Sequence, residues 1–81
     1  MKWRELDPVK QSALRCKQVT FWAFLIEERH YNVNDEDDAA VAVRDLCGVT
    51  SRAELKDIPA ARQRWDYLDS AFQGWRVKEH G

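Results

Sequence analysis

The chain has 81 residues, with 13 Lys or Arg against 14 Asp or Glu and a formal net charge of −1. We expect a single domain over residues 1–81, because two shorter domains would each lack the length to bury a core. The balance of charges argues against a protein that coats nucleic acid or an anionic membrane. No apolar run approaches the roughly 20 residues of a membrane span. Four Trp, three Phe and two Tyr offer material for a small core.

An N-cap followed by proline marks the start of the first predicted helix. Asp7 supplies a side-chain acceptor for the first turn, and Pro8 suits the first helical position, where no backbone N–H is needed. The helix is predicted from Pro8 to about Lys17. Its apolar side, which we expect to face the core, is formed by Val9, Ala13 and Cys16.

A second helix is predicted from Phe21 to about His30, with Thr20 as its N-cap. Its first two turns are apolar on nearly every side, which is typical of a helix at the centre of a core. The apolar positions are Phe21, Trp22, Phe24, Leu25 and Ile26. A strand over residues 19–26 is the alternative, but the charged residues that follow at 27–29 favour a helix.

A run of carboxylates opens the third predicted helix, for which Asn34 is the expected N-cap. The first turn, where negative charge interacts favourably with the helix dipole, holds Asp35, Glu36, Asp37 and Asp38. The run does not match a calcium-binding loop, because apolar residues fall on the ligand positions of that loop. We expect Gly48 to end the helix, whose apolar stripe is Ala39, Val43 and Leu46.

Two further helices are predicted in the last third of the chain. Ser51 and Glu54 have the spacing of a capping box, which predicts a short fourth helix over residues 52–56. The last helix is predicted over residues 59 to about 76. Apolar residues recur on it at steps of four, three, four and three: Ala61, Trp65, Leu68, Phe72 and Trp75. Together these elements predict an all-α fold, a small bundle of about five short helices with orthogonal packing.

The two cysteines, Cys16 and Cys47, lie on separate predicted helices. We expect buried free thiols, since an unpaired Cys packs as a small hydrophobe; a disulfide or a metal pair is the alternative. Only His30 and His80 are available to complete a zinc site, and neither has finger-like spacing from a Cys. No secretory signal is visible, so we expect a cytoplasmic protein without a metal or cofactor.

The sequence contains no Ser-His-Asp set, Gly-rich phosphate loop or HExxH motif, which argues against an enzyme and leaves no candidate catalytic residue. Residues 39–57 have the outline of a helix-turn-helix, with the turn at Gly48. In such a unit the second helix enters the major groove, and Ser51, Arg52 and Lys56 would contact the bases. A helix-turn-helix DNA-binding regulator is therefore the alternative function.

Charge and tryptophan are unevenly distributed, which favours a protein-binding function. Residues 1–20 carry five basic and two acidic side chains, whereas residues 27–38 carry six acidic and one basic. A dipolar surface of this kind suits a protein partner with a basic face. Trp3 lies outside every helical stripe and is interpreted either as a lid on the core or as an exposed anchor. The predicted partner-binding residues are Trp3, Trp22, Asp35, Glu36, Asp37, Asp38 and Trp75.

Four segments together resemble short uncharacterised proteins of phages and prophages, often encoded among replication and recombination genes. The segments are Ala13-Leu14-Arg15-Cys16, Phe21-Trp22-Ala23-Phe24-Leu25, Leu46-Cys47-Gly48-Val49-Thr50-Ser51-Arg52-Ala53-Glu54-Leu55 and Arg64-Trp65-Asp66-Tyr67-Leu68. The resemblance implies a phage origin and a bacterial cytoplasm. We predict a non-enzymatic module, a monomer or homodimer, that binds a protein of a nucleic-acid-processing or defence complex. It would act as an accessory factor or inhibitor, the class to which anti-CRISPR proteins belong.

Overall fold

A computed structural model describes the backbone of residues 2–80 and the side chains of residues 2–78. One 3-10 turn, Trp3–Glu5, precedes five α-helices: α1 (Pro8–Cys16), α2 (Val19–Arg29), α3 (Glu36–Cys47), α4 (Glu54–Asp57) and α5 (Pro59–His80). No strand occurs within the described backbone. The predicted all-α bundle of about five helices is therefore confirmed.

The first two helices begin where acceptors meet the N–H groups of the first turn. Asp7 caps α1 as predicted, and its Oδ1 accepts a hydrogen bond from the N–H of Lys10 at 2.9 Å. α2 starts at Val19, two residues before the predicted start, because the Gln18 carbonyl already accepts N–H groups of its first turn. The prediction of Thr20 as the N-cap is wrong, since Thr20 lies inside the helix.

α3 has well-defined caps at both ends. Asp35, rather than the predicted Asn34, is its N-cap, and the Asp35 Oδ1 accepts a hydrogen bond from the N–H of Asp38 at 2.8 Å. Gly48 follows the last residue with a left-handed φ of 70°, which confirms the predicted stop. Glycine has no Cβ and adopts this conformation without the steric cost that other residues incur, so the chain can leave the helix at this point.

The fourth helix is shorter than predicted, and the fifth is longer. α4 begins at Glu54 rather than at residue 52. The Glu54 carboxylate accepts hydrogen bonds from the N–H groups of Thr50 and Ser51, at 2.9 and 2.8 Å, and thereby holds the preceding residues in a turn. α5 continues past residue 76 to His80, and Gly74 lies inside it without interrupting it.

The core is built around four aromatic side chains of α2 and α5: Phe21, Phe24, Trp65 and Phe72. Their rings pack largely edge to face, with centroids 5.1 Å apart for Phe21 and Phe72 and 5.6 Å apart for Phe24 and Phe72. All five residues of the predicted α5 stripe are buried, which confirms that this stripe faces the core. α3 closes the core with Ala39, Ala42, Val43 and Cys47.

α1 buries a different side from the one predicted. Of the three apolar residues expected to face inward, Val9 and Ala13 are only partly buried, and Cys16 alone is fully buried. The buried side is instead formed by Pro8, Gln11, Ser12, Arg15 and Cys16. The Arg15 and Gln11 side chains can be buried because α5 supplies a carboxylate and an indole N–H to which they hydrogen bond.

α2 contributes to the centre of the core, as predicted, but only one of its sides is buried. Its inner side is fully buried and consists of Phe21, Phe24 and Leu25. A helix turns by about 100° per residue, which places Val19 and Ile26 on the opposite side. These two side chains are 68% and 45% exposed. Between Val19 and Ile26, α2 therefore has apolar residues on both its inner and its outer side, although only the inner side is covered.

α5 is the longest helix, with 22 residues. Charged residues occupy other sides of this helix, among them Arg62, Arg64, Asp66 and Asp69. Across residues 2–80, no helix combines the length and the apolar character that crossing a membrane requires.

Candidate functional site

Trp3 closes one end of the core. Its side chain is half-buried, and the indole Nε1 donates a hydrogen bond to Asp69 Oδ2 at 2.9 Å. The Arg15 guanidinium lies over the Trp3 ring, 3.9 Å from the ring centroid. Of the two interpretations of Trp3, the structure supports the lid on the core.

Trp3 belongs to a buried polar cluster around Asp69, which we call the Asp69 network. Arg15 Nε donates to Asp69 Oδ1 at 2.7 Å, and less than a tenth of either side chain is exposed. Gln73 Nε2 donates to Asp69 Oδ2, also at 2.7 Å. The carboxylate thus accepts three hydrogen bonds, which compensates for its removal from water.

Gln11 extends the Asp69 network across the interface between α1 and α5. Its Nε2 donates to the Trp3 carbonyl at 2.9 Å, and its Oε1 accepts a hydrogen bond from Trp65 Nε1 at 2.9 Å. These polar groups are paired with one another inside the domain, so we assign the network a structural role. The sequence pattern did not reveal it, because its members are up to 66 residues apart.

The other two predicted tryptophans also contact the domain itself. Trp22 is half-buried, and its Nε1 donates to the Cys16 carbonyl at the end of α1, at 2.7 Å. Trp75 is only 7% exposed and packs against Phe24, with ring centroids 5.7 Å apart. Trp75, which was predicted to bind a partner, is buried because it continues the apolar stripe of α5.

The acidic run divides into two capping residues and two exposed residues. Asp35 caps α3, and Asp38 Oδ2 accepts a hydrogen bond from the N–H of Asn34 at 3.0 Å. Both of these carboxylates therefore stabilise the start of the helix. Glu36 and Asp37 are exposed in the first turn, where they add negative charge to the surface.

The two cysteines are buried free thiols, which confirms the preferred prediction. Burial raises the pKa of Cys47 to about 11. Burial also raises the pKa of Cys16, although the neighbouring Arg52 guanidinium acts in the opposite direction. Since the thiolate is the reactive form, neither residue is poised as a nucleophile at neutral pH.

The three residues predicted to read DNA do not form an exposed helical surface. Ser51 and Arg52 precede α4, and only Lys56 lies within it. Arg52 is half-buried beside Cys16, and its Nη1 is buried. α4 has four residues and is about 6 Å long, which is short for a helix that must lie in a major groove.

An uncovered apolar surface lies on α2, where it was not predicted as a unit. We call Val19, Trp22, Ala23 and Ile26 the α2 outer face. Val19 and Ile26 are exposed, and Trp22 and Ala23 are partly buried on its flanks. The signal in the sequence was the uniform apolarity of this segment, which we interpreted as burial on all sides.

Comparison of the chain with protein-family models, with curated proteins and with solved structures gives no match. Any function therefore rests on the chemistry of this chain's own residues. Among the described residues, no group of three or more His, Cys, Asp and Glu side chains is placed to hold a metal ion. On the α2 outer face, Val19 and Ile26 are exposed, while Trp22 and Ala23 are packed partly against the core.

Proposed function

We propose that this protein is a non-enzymatic protein-binding module, an accessory factor or inhibitor of a phage or bacterial host protein, and that it binds its partner through the α2 outer face. The observation that carries the proposal is the exposure of Val19 and Ile26, 68% and 45%, in a helix segment that has apolar residues on both its inner and its outer side. Apolar helices of this kind normally occur where both sides are covered. A protein partner would provide the missing cover.

The fixed orientation of the Trp22 side chain supports the assignment of the α2 outer face as the binding surface. Its indole N–H is tied to the Cys16 carbonyl, so the ring has a defined orientation beside Ile26 before any partner arrives. A large side chain that is already ordered loses little conformational entropy on binding. Tryptophan is also the residue type most enriched among those that dominate binding energies.

The charges near the α2 outer face favour a partner with a basic rim. Glu27 directly follows Ile26 on α2, and Glu36 and Asp37 are exposed in the first turn of α3. Only a short connection separates the two helices. Negative charge bordering an apolar patch steers and orients a positively charged partner.

Capture from a bacterial lysate with two matched variants tests the proposal. Ile26→Lys places a charge in the α2 outer face, whereas Val41→Lys makes a similar change at an apolar residue of α3 that is 52% exposed. We expect the wild type and Val41→Lys to retain the same partner and Ile26→Lys to lose it. Circular dichroism checks that both variants fold. Equal capture by Ile26→Lys and the wild type would contradict the assignment of the surface.

A double variant tests the negative charge near the α2 outer face. Glu36→Lys with Asp37→Lys reverses the exposed charges and leaves the capping residues Asp35 and Asp38 intact. We expect weaker capture, with the largest loss at low ionic strength, because salt screens surface charges. If capture at low salt is unchanged, the partner does not need a basic rim, and that part of the proposal is wrong.

Duplex DNA is the discriminating probe for the alternative function. We expect no salt-dependent gel shift. A shift at low salt that is lost in Lys56→Ala, an exposed position of α4, would support DNA reading and contradict the proposal.

A further inference from the structure

A second uncovered surface runs along α5, on the side that faces the ends of α2 and α3. Two adjoining depressions, of about 460 and 380 Å³, share Arg29 of α2 as a common wall. On α5 their lining residues recur at helical spacing and form one stripe: Ala60, Arg64, Tyr67, Ala71, Gly74 and Lys78. We call this surface the α5 groove.

The dimensions of the α5 groove suit a helix. Ala60 and Lys78 are 18 residues apart, which corresponds to about 27 Å along a helix axis, or five turns. Leu46 and Leu68 give the groove an apolar floor. The small residues of the stripe, Ala60, Ala71 and Gly74, leave space above the helix at their positions.

Gly74 is the clearest sign that this surface is not shaped by internal packing. A Cβ at position 74 would meet no atom of the described residues within 4 Å, so the fold does not require glycine there. Glycine is disfavoured inside helices. Its presence leaves the floor of the α5 groove flat at this point.

The charge of the α5 groove selects an acidic occupant. Arg29 and Arg64 line the larger depression, whose described lining contains no acidic side chain. Lys78 lines the smaller one, together with Glu28. The Arg29 Nε is buried and has no hydrogen-bond partner among the described residues, so the hydrogen-bonding capacity of this guanidinium is not fully used within the domain. Guanidinium groups pair with carboxylates through two parallel hydrogen bonds.

We propose that the α5 groove binds an acidic amphipathic α-helix of a partner protein. Apolar side chains of that helix would pack on Leu46, Leu68 and Tyr67, and its Glu or Asp residues would meet Arg29 and Arg64. This is the helix-in-groove mode of recognition. The proposal does not depend on the α2 outer face, which lies on a different side of α2 and is bordered by negative charge.

Fluorescence anisotropy with a designed probe tests the α5 groove. The probe is a fluorescein-labelled 18-residue helical peptide with leucines along one stripe and glutamates beside it, and the control peptide carries lysines in place of the glutamates. We expect the full-length chain to bind the acidic peptide, with weaker binding as salt is raised, and not the basic one. Equal binding of both peptides would overturn the proposal.

Variants then locate the binding surface. Arg64→Glu is expected to weaken binding by about tenfold or more, whereas Arg62→Glu, the same change at an exposed position of α5 outside the stripe, leaves binding unchanged. Gly74→Leu fills the groove from a position with open space, and we expect it to block binding while the helix content is retained. Binding that survives both Arg64→Glu and Gly74→Leu would overturn the assignment.

Two further results would also overturn it. Loss of binding in Ile26→Lys but not in Arg64→Glu would place the peptide on the α2 outer face. A molar mass that rises with concentration in light scattering, and that falls to the monomer value in Arg64→Glu, would show that a second copy of this chain occupies the groove. Because Ile26 lies outside the α5 groove, failure of the groove proposal leaves the protein-binding proposal for α2 standing, and the reverse also holds.

Discussion

The two flanks of the aromatic stripe on α5 differ in what covers them. On one, the closed flank, Asp69 and Gln73 meet α1 and Trp3 through directed hydrogen bonds. On the other, the open flank, Arg64, Tyr67 and Gly74 of the α5 groove face solvent. Both flanks belong to the same helix, so helical propensity does not explain why one is covered and the other is exposed. A buried polar group needs a partner in a defined place, whereas an exposed stripe imposes no such requirement and remains available to a partner.

The closed flank depends on charge compensation. The Arg15–Asp69 pair is removed from water, which costs desolvation energy that the 2.7 Å ion pair and the additional hydrogen bonds offset. Arg15 also lies over the rings of Trp3 and Phe72, 3.9 and 4.9 Å from their centroids. The pair therefore fixes how α1, Trp3 and α5 fit together.

Removing the Asp69 carboxylate from the closed flank should have the largest effect on stability. Asp69→Ala leaves the Arg15 guanidinium buried without its counter-charge, and we expect a loss of about 3–5 kcal/mol in the free energy of unfolding. Urea denaturation followed by circular dichroism measures it. The control is Arg15→Met with Asp69→Leu, which replaces both charges by apolar groups. It should recover the part of the loss that comes from the unpaired Arg15, whereas Trp3 Nε1 and Gln73 Nε2 still lack their acceptor. A loss of under about 1 kcal/mol in Asp69→Ala would show that the closed flank does not depend on this pair.

At the edge of the open flank, Gly48→Ala should cost about 1–2 kcal/mol, because a left-handed φ is strained for any residue with a Cβ. The new Cβ would also lie 2.7 Å from Arg64 Nη1, which must move away. Arg64 currently donates to the Cys47 carbonyl at 3.4 Å, so that bond would be lost. Thermal unfolding measures the effect, and an unchanged Tm would contradict it.

Inside the open flank, replacing a glycine by alanine should stabilise the protein rather than destabilise it. Gly74→Ala places a methyl group in open space within a helix, and we expect a gain of about 0.5–1 kcal/mol. Measured beside Gly48→Ala, it separates a glycine that the backbone requires from one that it does not. A destabilised Gly74→Ala would show that the open flank is more constrained than its surroundings indicate.

The smallest effect is expected away from both flanks, at Glu54. Hydrogen bonds from Thr50 and Ser51 lower the pKa of this carboxyl below its usual 4.5, so the charged form is the one that the fold stabilises. This contribution is present above pH 4.5 and is lost as the pH falls through the lowered pKa. Unfolding of the wild type and Glu54→Gln across this range should show a stability difference that disappears in acid. A difference independent of pH would contradict the assignment.

The candidate surfaces were only partly accessible from sequence. The apolar character of α2 and the exposed charges at Glu36 and Asp37 were visible in the pattern, but which side of α2 stays uncovered was not. Trp75 was predicted to bind a partner, yet its place on the α5 stripe already indicated burial. The α5 groove had no signal in the sequence, because its walls come from three helices.

The order of the helices was determined by the sequence itself, since caps and periodicity are local. Asp7 with Pro8, Gly48, and the stripe from Ala61 to Trp75 each act through neighbours within about two turns. Tertiary structure decided which sides of α1 and α2 are buried. Arg15 faces inward because it pairs with Asp69, a residue 54 positions further along the chain. Val19 remains exposed because no other helix within residues 2–80 packs over it. The partner of a side chain is a property of the assembled fold, and a local pattern carries no information about it.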